Sequence, residues 1–146
     1  MESILRIAAV VTVASVLIAT GHVMGCECYG PTNARSARDS AEAVFVGRVV
    51  ELDDDLTNVT FEVLMAWKGA KVSTFQAEND QLSCPYPFEE GRLYLVYALS
   101  RSGQVIVNNC HRTYPLDPGL GYPLQALEDI TQLGRPKYQN REPTTH

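Results

Sequence analysis

Beyond residue 42 the chain falls into short apolar-rich runs separated by turn residues, and in the clearest of them the side chains alternate with a period of two. From Asn58 to Trp67, Val59, Phe61, Val63 and Met65 alternate with Thr60, Glu62, Leu64 and Ala66, which predicts a strand with one face inward. Ala43 to Leu52 is rich in β-branched residues and predicts the strand before it, with Gly47 as a bulge or bend. Lys68-Gly69 closes the second strand, and Lys71 to Ala77 predicts a third. Arg92 to Leu99 carries Leu93, Leu95, Tyr97 and Leu99 on one face and Tyr94, Val96 and Ala98 on the other. Apolar on both sides, it is expected to be buried on both. Gln104 to Asn108 follows the turn Ser100 to Gly103 as a fifth strand.

The periodicity changes at the two ends. Thr32 or Asn33 caps a short predicted helix that runs to about Glu42 and packs by Ala34, Ala37 and Ala41. Tyr122 to Leu133 predicts a second helix, with Leu124, Leu127 and Ile130 at three-residue steps and Gly134 as its terminator. Five short strands with a helix at either end predict a mainly β fold, a five-stranded OB-type Greek-key barrel with two flanking helices. Trp67, Tyr94 and Tyr97 are expected in its core.

Residues 1 to 25 read as an export signal: Arg6 lies in a short polar start, and Ile7 to Ala19 is apolar except for Thr12 and Ser15. The run is short for a membrane span. Cleavage after Gly25 would make Cys26 the first mature residue, and Ala19-Thr20-Gly21 offers a competing site. Val23-Met24-Gly25-Cys26 also reads as a lipoprotein signal, in which Cys26 carries a lipid anchor. The expected organisation is a signal peptide over 1–25, one domain over 26–134 and a disordered tail over 135–146. A secreted, extracellular or periplasmic location follows, or the cell envelope if Cys26 is acylated. The net charge is −5 and the lysines and arginines are scattered along the sequence, so nucleic acid is not an expected partner. A membrane is expected only through lipidation.

Cys26, Cys28, Cys84 and Cys110 form an even set in an exported chain, and four cysteines allow three pairings. A bridge between Cys26 and Cys28 is ruled against by disulfide geometry, which leaves each of them a distant partner. Competing chemistry is weaker. Asp53-Asp54-Asp55 lacks the spaced ligands, central Gly and terminal Glu of an EF-hand loop and reads as a solvated hairpin tip. Asn58-Val59-Thr60 is formally a glycosylation sequon. Cys110-His111 suggests a nucleophile pair, but neighbouring strand residues point to opposite faces. Cys26, Cys28, Cys110 and His111 offer zinc ligands only if the thiols stay reduced, against the trend outside the cytosol. The chain is therefore not expected to be an enzyme, and no cofactor or metal of the free protein is expected.

The leading Cys26-x-Cys28, the Ala-rich helix and Val44-Phe45-Val46-Gly47-Arg48-Val49 form one part of a recognisable series. Thr60-Phe61-Glu62-Val63 leading to Trp67-Lys68-Gly69, then Cys84, Gly91 to Tyr97, and Cys110 with Arg112-Thr113 and Leu116 complete it. Together they resemble the netrin-like domain, and within it the tissue inhibitor of metalloproteinases family and its bacterial relatives. The likeness spans residues 26 to about 134. It implies an OB barrel with Cys26 bridged to Cys84 and Cys28 to Cys110. A third bridge of the animal inhibitors' N-terminal domain has no counterpart here, nor has their C-terminal domain.

The resemblance also implies a function. In such inhibitors the amine and carbonyl oxygen of the first cysteine chelate the catalytic zinc of a target protease, displacing its water. Cys26 would then be the zinc contact, Glu27 and Cys28 would touch the protease, and a zinc metalloprotease would be the partner. Glu27 departs from the inhibitory pattern, whose second residue is a small hydroxyl or apolar one. Its carboxylate has to be desolvated beside the protease's own glutamate, a cost of several kcal/mol unless a cation pairs with it. The alternative expectation is a non-inhibitory netrin-like module that binds a protein partner through a barrel face or the Asp53 to Asp55 loop.

Overall fold

A computed structural model describes residues 25 to 140 except Glu27, Val72, Ser83, Pro118 and Leu120. The first helix, α1 (Ala34–Ser40), starts where the Asn33 side chain accepts a hydrogen bond from the Ser36 amide at 3.0 Å. That satisfies one of the donors a helix start leaves open. Its buried side chains are Ala34 and Ala37.

Strand β1 (Ala43–Leu52) pairs antiparallel with β2 (Asn58–Lys68), which pairs antiparallel with β3 (Thr74–Asn79). Strand β4 (Leu93–Arg101) returns alongside β1 and turns into β5 (Gln104–Val107), which lies parallel to the end of β3. The circuit β1-β2-β3-β5-β4-β1 closes, giving a five-stranded barrel of the OB type with two helices against it. The β1–β2 register slips between Val46 and Gly47. Gly47 is small for a second reason: a Cβ there would lie 2.9 Å from the Phe45 ring and 3.1 Å from Phe61 Cβ.

Strand β4 explains its own two-sided hydrophobicity. Tyr94, Val96 and Ala98 point into the barrel with Phe45, Phe61 and Phe88, whereas Leu95 and Tyr97 belong to a second core beneath the helices. Trp67 joins that second core and donates from its indole N–H to Gly134 O at 2.7 Å. Burying Tyr97 and Trp67 contributes roughly 2 kcal/mol or more apiece.

Two expectations change. The second helix, α2 (Leu124–Leu133), ends as expected at Gly134 (φ +70), but it does not face the barrel with Leu124 and Leu127, which are 80% and 43% exposed. It buries Ala126, Asp129 and Leu133 instead, with Ile130 partly covered. The expected tail from 135 is also corrected. After the short β6 (Tyr114–Pro115) on β4, a last strand, β7 (Tyr138–Gln139), pairs with Ala66 and Met65 of β2. Lys137 N donates to Ala66 O and Asn140 N to Leu64 O, each at 2.8 Å. Strand β3 covers β2 only from Asn58 to Glu62, so the rest of that edge had main-chain groups to offer. Residues 141–146 lie outside the described residues.

Candidate functional site

The N-terminal limb lies against one end of the barrel, held by Cys26–Cys84 and Cys28–Cys110, with Cα separations of 5.8 and 5.0 Å. This is the pairing the resemblance implies. The sulfurs of Cys28, Cys84 and Cys110 are all within 4.8 Å of one another, so the bridges sit side by side. Cys84 is buried, while Cys26 and Cys28 are exposed. Glu27, between them, lies outside the described residues. Gly30 lets the limb lie flat: a Cβ there would be 2.7 Å from Cys110 O, closer than packed atoms allow.

Each distal cysteine is mounted in turn. Buried Asn79 exchanges hydrogen bonds with the Tyr86 main chain at 2.8 and 2.9 Å, closing the loop that carries Cys84. Asp80, 2% exposed, accepts from Leu82 N and from the Arg101 guanidinium. Burial pushes its carboxyl up, but hydrogen bonds and charge from Arg101, with help from Asn108 and Leu82, outweigh this and leave it lowered. Asn109 N donates to Cys84 O at 2.7 Å, joining the two cysteine loops.

Around Cys110, Asn108 Oδ1 accepts from Cys110 N at 3.0 Å and lies 2.6 Å from His111 Nδ1. A carbonyl oxygen only accepts, so the imidazole proton sits on Nδ1. Burial, then the Arg101 charge, lower the His111 pKa and keep the ring neutral. Cys110 is bridged, so the Cys-His nucleophile has no thiolate. The Cys26, Cys28, Cys110 and His111 zinc site likewise lacks reduced sulfurs. With its sulfurs bridged, the limb offers a metal no thiolate.

The hairpin tip uses the carboxylates of Asp53 and Asp55 internally. Asp53 accepts from Asn58 N at 2.8 Å, Asn58 Nδ2 at 2.6 Å and Thr57 Oγ1 at 3.0 Å. Led by the Asn58 main-chain bond, these lower its pKa to about 2. Asp55 accepts from Thr57 N and competes with Asp53 for the single Thr57 hydroxyl proton.

No family model matches the chain, and neither does any curated protein. The site is therefore defined by geometry alone. Two features had no clear sequence signal. Arg112, in a left-handed conformation (φ +47), grips Asp129 and also reaches Thr32 O at 3.3 Å. A cleft of about 370 Å³ opens where β3 and β5 part, lined by polar residues such as Thr60, Gln76, Glu78 and Gln104 together with Val59, Ala77 and Val105. Only the pairing of β5 with the far end of β3 produces it. Large exposed apolar side chains flank the cysteines: Tyr29 follows Cys28, and Leu82 precedes Cys84 by two residues.

Proposed function

We propose that the protein is a secreted inhibitor of zinc metalloendopeptidases, acting through the Cys26 amine and carbonyl oxygen. The observation that carries this reading is the double covalent mount of an exposed limb. Two adjacent bridges hold Cys26 and Cys28 against a closed barrel, whereas most N-termini fray. A rigid chelating group loses little entropy on binding. An α-amine of pKa about 8 is available as a neutral donor near physiological pH, more so beside a metal cation. Exposed Tyr29 and Leu82 supply apolar surface beside the chelate, of the kind that anchors a protein interface.

The test compares protein that begins at Cys26 with protein carrying one extra alanine before it, against a set of zinc endopeptidases. Inhibition lost with the alanine supports the reading. No inhibition by either form refutes it. In that case the cleft between β3 and β5, with its mixed polar and apolar lining, favours the second reading, a netrin-like module that binds a protein partner without inhibiting it.

A further inference from the structure

The chain has only three lysines, far apart in sequence, and the fold brings all of them to one place. Lys68, Lys71 and Lys137 border a pocket of about 110 Å³ between the end of β2, the β2–β3 connection and the β7 segment. Trp67 and Tyr138 form its aromatic wall, Gly69 and Ala70 complete the lining, and among the described residues no acidic side chain lines it. This is unexpected in a protein with 17 acidic residues and a net charge of −5.

The ion pairing makes the contrast sharper. All five ion pairs among the described residues are made by arginine and none by lysine. Of the two acidic residues that flank the end of α1, Asp39 is paired with Arg38, and Glu42, whose carbonyl oxygen lies behind Gly69, is in none of the ion pairs among the described residues. Lys68 Nζ is steadied by Arg38 O and Asp39 O, at 3.0 Å each, at the end of α1. That leaves one proton free to donate. Lys71 and Lys137 are exposed at the rim. Three like charges around one recess repel each other, and a multiply charged anion would relieve this.

We infer that the pocket holds a tetrahedral oxyanion, a sulfate or phosphate group, free or carried as an ester on a larger chain. Ammonium groups are compact point charges, suited to an anion approached from several sides rather than to the two-pronged grip of arginine on a carboxylate. The recess is well below the roughly 300 Å³ at which small-molecule pockets begin, so it takes one such group and not a whole nucleotide or sugar. The pocket also depends on β7, which supplies Tyr138, and on Lys137 just before it, whose N–H donates to Ala66 O.

Trp67 is the only tryptophan and lies in the wall, so its fluorescence reports occupancy directly. The exported protein is titrated with sodium sulfate and sodium phosphate against sodium chloride at equal ionic strength, then with heparin against desulfated heparin. A saturable response to the free ions supports the site with a free anion as its source. A response to heparin alone, lost on desulfation, supports it with an ester as the source. In either case Lys71→Gln and Lys137→Gln should each weaken binding about tenfold, while Arg92→Gln, on the Glu89 pair, should leave it unchanged. Both lysines are exposed, so these variants should fold. A response that chloride reproduces, or one that survives both lysine substitutions, overturns the inference.

Discussion

Arg112 sets Nε and Nη2 against the two oxygens of Asp129, a residue of α2 with no solvent exposure, and the Tyr97 hydroxyl donates to Asp129 Oδ2 at 3.0 Å. Arg112 also reaches Thr32 O, so this carboxylate ties α2 to both sides of the Cys28–Cys110 bridge. Burial, then the Asp129 charge, push the Tyr97 hydroxyl far above its ordinary pKa, which keeps it a donor at any physiological pH. Removing the carboxylate strands a largely buried guanidinium. Asp129→Ala should therefore cost about 3–5 kcal/mol in urea denaturation, and Arg112→Leu with Asp129→Leu should recover part of it. A loss below about 1 kcal/mol would show that the pair is not holding the helix.

That same aspartate explains where the sequence misled. On α2 the apolar repeat through Leu124, Leu127 and Ile130 is the visible one, yet the buried stripe is Ala126, Asp129 and Leu133, with Ile130 only partly covered. A charge in the centre of the stripe hides it, and the partner that neutralises the charge, Arg112, lies 17 residues away in sequence. The strands were legible because Val59, Phe61 and Val63 report burial by alternation alone. Strand β7 was not, because it is held by main-chain bonds to Ala66 and Leu64, which no side-chain pattern encodes. The four cysteines marked the limb, but the loops that carry their partners depend on Asn79 and Asp80, which look like surface residues in the sequence and are both 2% exposed.

Asp53 predicts a pH effect with a definite sign. Its folded pKa of about 2 lies below the 3.8 of a free aspartate, chiefly through the Asn58 amide. A depressed carboxylate adds stability above its unfolded pKa, and that stability is lost as pH falls through the folded value. Asp80 is lowered as well and acts in the same direction. Unfolding midpoints should therefore hold level at neutral pH and drop between about pH 4 and pH 2. Asp53→Asn should flatten that drop. An unchanged acid limb in the variant would mean that the hairpin contacts do not survive in solution.

The paired bridges predict a non-additive result. They span 58 and 82 residues, and on the chain-entropy model each is worth about 4 kcal/mol. Both start within three residues of the limb, so the second closes a loop already largely closed by the first. Replacing either pair of cysteines by serine should lower stability by less than that figure, and replacing all four should cost more than the two single-bridge losses added together. Thermal melts of the three variants measure this, and strict additivity would mean that the bridges act independently.

Glu27 gives the most direct test of the proposed inhibition. An inhibitor of this kind inserts its second residue into the pocket beside the target zinc, where a carboxylate meets the protease's own catalytic glutamate and loses its hydration. If the cost is only about 3 kcal/mol, Glu27→Ser should tighten inhibition of a protease with an apolar pocket by about a hundredfold. Against a protease with a cationic pocket the same change should weaken inhibition, because the glutamate would then have a partner. The two inhibition constants, measured with protein beginning at Cys26, separate target choice from loss of function. Equal constants for the unsubstituted protein and the Glu27→Ser variant against both proteases would mean that this side chain never enters the pocket.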